Sequence, residues 1–382
     1  MAEVYIIAAA RTPIGAGKPE TGALYPLAPV DLAAHVLREV VRRAQADPAD
    51  IDDVILGIVT PVDDQGANLA RLAALQAGFP VSAPAVSLNR MCGSSQQAIH
   101  FGAQAILAGD MDLVLAGGIE MMSHQPLGRD YPKSWPANFP YRLVHQGISA
   151  EMMAELWHLS RPELDDFAFE SHRRAGAAIQ SGALADQIVA VEITGDDGSL
   201  RRVEVDQGVR LPPNREKMAS LPPAFKPDGV VTAGNSSQVS DGAAAVALAS
   251  EAYLRRTGAA PLARLVARVV VGSDPVLMLD GPIPATRRVL EKAGLRLDQI
   301  DRVEINEAFA SVVLAWQKET GADPERVNPE GGAIAHGHPL GATGAVLMTK
   351  LVDGLRRSRG RFGLQTMCIG HGMATATIIE RL

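Results

Sequence analysis

Ile51-Asp52-Asp53-Val54 heads one apolar run, and Ile300-Asp301-Arg302-Val303 heads another 249 residues later. Each follows a helical segment with a short loop, and each opens a run of strand length, Val54–Val59 and Arg302–Ile305. Two further matches occur in the same order. A glycine-containing turn opens a helix in each part, Cys92-Gly93-Ser94 in the first and His338-Pro339-Leu340-Gly341 in the second, 246 residues apart. Ala116-Gly117-Gly118 is answered by Cys368-Ile369-Gly370 at an interval of 252. Three near-equal intervals in one order indicate two similarly folded halves.

Outward from these markers, strand-length apolar runs at Val54–Val59, Met111–Gly118, Ala243–Ala249, Ala263–Val271, Arg302–Ile305 and Thr375–Ile379 alternate with helix-period segments. Those segments are Pro29–Ala44, Ser94–Ala108, Ile283–Ala293 and Ala342–Arg357. Such alternation predicts an α/β architecture with largely buried sheets. The opening run to Ala10 lacks a basic leader and continues into Arg11-Thr12-Pro13, so it reads as a buried strand and not as a signal peptide. No stretch approaches the roughly 20 apolar residues of a membrane span, and the expectation is a cytoplasmic protein. Between the halves, about Glu120 to Gln238, the texture changes to Trp135, Trp157, many prolines and the basic cluster His172-Arg173-Arg174. That cluster reads as a solvated helix face, and the region as a cover over the core.

The chain has 382 residues, 47% hydrophobic and 21% charged, which excludes intrinsic disorder. Its 36 Lys and Arg against 43 Asp and Glu leave a net charge of −7, so no general affinity for nucleic acid or anionic lipid is expected. An anionic ligand has to meet local basic residues. Two cysteines, Cys92 and Cys368, are too few for a disulfide scaffold or a zinc ribbon, and no metal site is expected.

Cys92 falls where a strand ends and the helix from Ser94 begins, so a helix N-terminus favours its thiolate. It is a candidate nucleophile, or else a small buried hydrophobe. His338 occupies the corresponding turn of the second half; a pseudo-twofold axis would bring it to Cys92 as the base of a Cys–His pair, or it merely starts a helix. Cys368 ends a late strand among small residues and is a candidate acid/base for a carbon acid if its thiol is tuned toward neutrality. Asn306-Glu307-Ala308-Phe309 places an amide and a carboxylate at a strand end, where open α/β sheets carry ligands; either could instead cap the next helix.

Together these segments resemble the thiolase family over essentially the whole chain. Cys92-Gly93-Ser94, Asn306-Glu307-Ala308-Phe309, Gly337-His338-Pro339 and Cys368-Ile369-Gly370 match its four catalytic motifs in order and spacing. Supporting matches are Arg11-Thr12-Pro13, Ala116-Gly117-Gly118-Ile119-Glu120 and Thr232-Ala233-Gly234-Asn235-Ser236-Ser237. The resemblance implies two βαβαβαββ-type halves forming a five-layered αβαβα core, residues 1–119 plus 239–260 and residues 261–382, with a CoA-binding loop domain inserted at 120–238.

It further implies that His338 takes the proton of Cys92, whose sulfur carries the acyl group, and that Cys368 handles the α-proton of the second acyl-CoA. Two oxyanion sites follow, His338 with a water held by Asn306, and the backbone N–H groups of Cys92 and Gly370. Extension from the Ser237 motif puts Arg210, Leu221, Phe225, Ala233 and Ser237 along coenzyme A, with Arg210 supplying positive charge. His145 and Met278 are further pocket positions, and Ala308 and Phe309 line the pantetheine channel. No tightly bound cofactor is implied; coenzyme A is substrate and product. The minimal unit implied is a homodimer, with a tetramer doubtful because the stretch from Glu120 to Gln146 is shorter than in short-chain biosynthetic members. That stretch, with Gln146 before Gly147, is closer to degradative thiolases, including those acting on bulky steroid side chains, so thiolysis of 3-ketoacyl-CoA is preferred over acetoacetyl-CoA synthesis. A ketosynthase-like enzyme would carry a histidine at Cys368. A catalytically silent CoA- or lipid-binding protein is the alternative of another class. His336 and His371 depart from the family's usual Leu and Gly, and His371 either tunes the base or narrows the pocket.

Overall fold

The computed structural model describes residues 3–194 and 198–382; Met1 and Ala2 of the expected first strand lie outside the described residues. The strands, in chain order, are β1 (Val4–Arg11), β2 (Gly15–Ala16), β3 (Asp53–Gly57), β4 (Ala85–Leu88), β5 (Leu113–Met121), β6 (Val191–Thr194), β7 (Leu200–Val203), β8 (Ser240–Ser250), β9 (Ala263–Gly272), β10 (Arg302–Ile305), β11 (Phe362–Ile369) and β12 (Met373–Arg381). The helices are α1 (Pro29–Ala44), α2 (Leu69–Gln76), α3 (Ser94–Ala108), α4 (Gln146–Leu156), α5 (Arg161–Gln180), α6 (Arg215–Ala219), α7 (Glu251–Thr257), α8 (Pro282–Ala293), α9 (Ala310–Thr320), α10 (Ala333–His336) and α11 (Thr343–Ser358).

Nine strands pair in the order β10-β11-β12-β9-β1-β8-β5-β3-β4, with β2 on the side of β8 and β6-β7 as a separate hairpin. The two halves join antiparallel at Tyr5 opposite Arg264 and Ile6 opposite Ala263. On each side of that join the pattern repeats. In the first half β3 runs parallel to β5, and β5 is antiparallel to β8; in the second, β10 runs parallel to β11, and β11 is antiparallel to β12. A parallel bridge from Val303 to Val327 stands where β4 stands beside β3.

The register refines the repeat. Asp53 faces Val114 and Arg302 faces Gly363, a separation of 61 residues in both halves, so the parallel ladders superpose at a constant interval of 249. Helices α3 and α11 obey the same interval, starting at Ser94 and Thr343. Ile119, not Ala116, is therefore the counterpart of Cys368. His338 is not the counterpart of Cys92 either: it lies five residues before its helix where Cys92 lies two, because the second turn is longer.

Three apolar clusters stack these elements into five layers. Leu32, Val36, Leu37 and Val40 of α1 and Leu69 and Ala73 of α2 cover the outer face of the first half. Ile99, Ala103 and Ile106 of α3 pack with Val346, Leu351 and Leu355 of α11, and this pair meets Val114 and Leu248 from one half and Leu265 and Ile379 from the other. Ile283 and Val289 of α8 and Val313 and Trp316 of α9 cover the outer face of the second half. With helices on both sides, β5, β10 and the interior of β11 are buried at every residue, as a doubly covered sheet requires. The segment between β5 and β8 contributes α4, α5, the β6-β7 hairpin and α6. Its apolar residues Ala150, Met153, Leu164 and Met218 pack with Phe309, Ala310 and Val312 around α9, which sets a roof over the loop ends of β10 and β11.

Candidate active site

Cys92 sits between Met91, in the left-handed region at φ 46°, and Gly93, the residue before α3. Left-handed backbone on a methionine is costly and persists only where the surroundings dictate it. Gly93 has to be glycine, since a Cβ there would lie 2.3 Å from Cδ1 of Ile369. The backbone N–H groups of Gly370 and Cys92 and the side chain of Gln146 face the Cys92 thiol closely enough to favour its thiolate. Gln146 opens α4, and the sequence reading did not single it out as a contact of the thiol.

The helix start does not win at Cys92. Burial pushes its thiol up to about 11, although the Gly370 N–H, the Cys92 N–H and Gln146 all favour the thiolate. The expectation of a thiolate stabilised by a helix end therefore fails: loss of hydration outweighs these partial charges. Cys368 is not tuned toward neutrality either. It ends β11, fully enclosed, and burial, with the charge of nearby Cys92, drives its thiol further up. Both thiols are free.

His338 is buried, and its Nδ1 lies 2.6 Å from the Thr343 hydroxyl oxygen. That hydroxyl donates its single proton to the Pro339 carbonyl at 2.8 Å, so it accepts from the ring. Nδ1 accordingly bears the hydrogen and Nε2 the lone pair. Nε2 faces Asn306 Nδ2 at 3.3 Å. Burial lowers the His338 imidazole to about 4, so it rests neutral. Asn306 is fully buried, and its Oδ1 has no protein partner among the described residues; it points an acceptor into the site. Leu340, two residues beyond His338, packs in one small apolar cluster with Cys92, Val59, Met122, Met367 and Ile369.

The rest of the β10 loop is framework. Glu307 accepts from Ser171 Oγ at 2.6 Å, Asn328 Nδ2 at 3.0 Å and Ile334 N at 3.2 Å, tying α5 to the loops around His338. Ala308 O accepts from Ser237 N at 2.9 Å. Glu120 takes the backbone N–H of Val59, Thr60 and Gly341 and the Gln65 amide, clamping the two halves beneath the site.

Of the predicted ligand contacts, His145, Phe225 and Phe309 form one aromatic cluster, with Phe225 stacked on His145 at 5.2 Å and edge-on to Phe309 at 5.9 Å. Gly147 lies under Phe225, where a Cβ would strike the ring. Met278, Ala308 and Phe309 share a cluster with Cys368. Leu221 borders Gly234, beside exposed Ala233. Arg210 stands apart from these rings: it is exposed, its N–H reaches Nδ1 of His172 at 3.1 Å, and no carboxylate among the described residues pairs with its guanidinium. His172, expected on a solvated face, is buried, and burial beside the Arg210 charge lowers it to about 4. Among the described residues no group of three or more His, Cys, Asp or Glu could hold a metal ion, and no helix is long and apolar enough to cross a membrane.

An enclosed thiol facing a backbone N–H, a second thiol beside it and a neutral imidazole held by an amide define an acyl-transfer site on a duplicated α/β core. Comparison agrees. Residues 4–252 match the model of the thiolase N-terminal domain and residues 259–381 that of the thiolase C-terminal domain. The chain is 48% identical to a steroid 3-ketoacyl-CoA thiolase of Mycobacterium tuberculosis, covering 100% of this chain and 95% of that one. It is 44% identical to a 3-ketoacyl-CoA thiolase of Yersinia enterocolitica, with both covered in full. A crystal structure of the Bacillus anthracis acetyl-CoA acetyltransferase superposes with a TM-score of 0.92 at 39% identity, covering 100% of this chain and 99% of that one. The protein is an acyltransferase. It belongs to the thiolase family.

Proposed function

We propose that this chain cleaves 3-ketoacyl-CoA with free CoA in the degradative direction, through an acyl-Cys92 intermediate. Neutral His338, oriented by Asn306 and Thr343 beside the enclosed Cys92 thiol that the Gly370 N–H faces, is the observation that carries this reading. The thiol proton of Cys92 passes to Nε2 of His338 as sulfur bonds to the 3-keto carbon. The bond from that carbon to C2 breaks, the electron pair stays on C2 and takes the proton of Cys368, and acetyl-CoA leaves. Free CoA gives its thiol proton to the Cys368 thiolate and attacks the acyl-Cys92 thioester; Cys92 departs and recovers its proton from His338. The N–H groups of Cys92 and Gly370 stabilise one oxyanion, His338 with a water on Asn306 the other. Losing one such donor costs on the order of 10²–10³ in rate.

Coenzyme A runs over the His145–Phe225–Phe309 cluster, past Leu221, Ala233, Ser237 and Met278, with the Arg210 charge toward its phosphates. Residues 120–238 form the unit that covers it, set between core halves 1–119 plus 239–260 and 261–382. A homodimer through the open edge of β4 is the working unit. Two free thiols in one site suit a reducing, cytoplasmic setting. Incubation with CoA and 3-ketoacyl-CoAs from acetoacetyl-CoA upward tests the reading: substrate is consumed, and mass spectrometry finds an acyl adduct on Cys92. No consumption at any chain length and no adduct rejects it.

A further inference from the structure

Four of the chain's sixteen aromatic residues, Tyr131, Trp135, Phe139 and Tyr141, fall within eleven positions. They also account for four of the five exposed Phe, Tyr and Trp side chains among the described residues, at 39–52% exposure. Aromatic surface left this open in a soluble chain marks a site that something apolar covers. These rings are organised. Trp135 lies 5.2 Å from Phe139, and Phe139 6.3 Å from Tyr141. His371 joins the group, 6.2 Å from Tyr131 and 6.5 Å from Trp135.

His371 fixes where this wall stands. It follows Gly370, whose N–H meets the Cys92 thiol, and it sits at φ 66° in the turn between β11 and β12. A left-handed backbone on a non-glycine residue is strained, and here it aims an imidazole at Tyr131 and Trp135. The Tyr131 hydroxyl is raised mainly by its burial, with smaller contributions from the charges of Asp130 and Cys92. Four of the twelve methionines, Met91, Met122, Met367 and Met373, share one small apolar cluster with Cys92. Thioether side chains adapt to irregular shapes and pack favourably on ring edges.

We propose that Tyr131, Trp135, Phe139 and His371 form the acyl-binding wall and select 3-ketoacyl-CoAs whose acyl group carries a flat ring system, which stacks on the rings while methionines close over it. This rests on the thiolysis reading and adds the substrate class. Ring pairs of this kind change affinity by roughly threefold to tenfold each, so the effect falls on KM for ring-bearing substrates.

The test compares kcat/KM for 3-oxo-5-phenylpentanoyl-CoA and for 3-oxooctanoyl-CoA, in wild type and in Trp135→Ala and His371→Gly, with circular dichroism and thermal unfolding to verify the fold. The expected result is a wild-type ratio of at least about tenfold favouring the phenyl substrate, reduced about threefold to tenfold in each variant through KM. A wild-type ratio near one, or one that neither substitution changes, overturns the assignment. So does an unchanged ratio with a Trp135→Ala variant that shifts in size-exclusion chromatography, which would make the wall a subunit contact. Failure to cleave either substrate, with no adduct on Cys92, would instead remove the thiolysis reading on which the proposal stands.

Discussion

Thr343 decides which nitrogen of His338 is basic, because its hydroxyl gives its only proton to Pro339 O and must accept from Nδ1 at 2.6 Å. Replacing it with valine keeps the shape but leaves a buried ring N–H without its acceptor. Such a loss costs about 1–3 kcal/mol and lets the ring rotate or change tautomer. Thr343→Val should lower kcat by on the order of tenfold to a hundredfold, with KM for CoA little changed. Thr343→Ser restores the hydroxyl and should recover most of the rate. Equal losses in the valine and serine variants would show that the methyl group, and not the hydrogen bond, is what matters.

Burial moves the two members of the reacting pair in opposite directions, the Cys92 thiol up to about 11 and the His338 imidazole down to about 4. Each shift favours the neutral form. The resting pair is then thiol and imidazole, not thiolate and imidazolium, and the proton moves only as the sulfur attacks. Lowering the pH removes activity when His338 becomes protonated, so the acid limb of kcat/KM should lie near pH 4, well below the ordinary histidine value of 6.5. Raising the pH exposes thiolate only as about 11 is approached, so Cys92 alkylation by iodoacetamide should climb steadily through the neutral range. A plateau in the alkylation rate between about pH 6 and pH 8 would reveal a resting thiolate and contradict this account.

The duplicated α/β core was legible because strands buried on both faces are written as short unbroken apolar runs, and because the polar pairs at Asp52 and Asp301 mark equivalent strand starts. The helix Pro29–Ala44 has the predicted bounds, and Ser94–Ala108 does too. Matching glycines by identity misplaced the third interval, since Gly117 and Gly118 answer to local crowding: a Cβ at either would meet the Ala244 or Gly341 carbonyl. Of helix α5 only the face at His172-Arg173-Arg174 was read, and its start was missed, although Ser160 and Glu163 spell its capping box. Cys92, Asn306, His338 and Cys368 were readable as motifs, and the structure gathers them in one region. Gln146 was not, because only the packing of α4 against the β11 turn carries it to the thiol. The raised thiols were equally invisible, since a helix end is written in the sequence and the depth of burial is not.

Asp206 lies in a featureless stretch yet anchors a fully buried ion cluster. Arg11 grips it with two nitrogens at 2.7 and 3.0 Å, and His336 Nδ1 approaches its other side at 2.7 Å while Nε2 meets the Glu330 carbonyl at 2.8 Å. Both ring nitrogens of His336 face oxygen atoms, so the ring is held from both sides. The Arg11 charge and the His336 hydrogen bond hold the Asp206 carboxyl far below the usual carboxylate range. Asp206→Asn strands the buried Arg11 guanidinium and should destabilise the fold by about 3–5 kcal/mol. A lowered folded-state value means that the stabilisation is present above the ordinary value of 3.8 and fades as the pH falls below it. Urea unfolding at neutral and acid pH checks this: the gap between wild type and variant should shrink toward pH 3. A gap that widens on acidification would reverse the sign assigned to Asp206.

Strand β4 pairs with β3 on one side only, and Val86 on it is exposed, with Leu72, Leu75 and Val81 exposed nearby. Asn68 already bonds Ala85 O and Ser87 N on the outer side of β4, so the apolar side chains around this edge, more than free backbone groups, suit it to a second chain. A second copy offering the same surface would cover it with twofold symmetry. Val86→Lys puts a charge on that edge and should convert the proposed homodimer into a monomer in sedimentation or size-exclusion experiments. Because β4 itself leads into the turn that holds Met91 and Cys92, separating the subunits should also loosen that turn and lower kcat. A Val86→Lys protein that stays dimeric at low micromolar concentration would move the interface elsewhere on the surface.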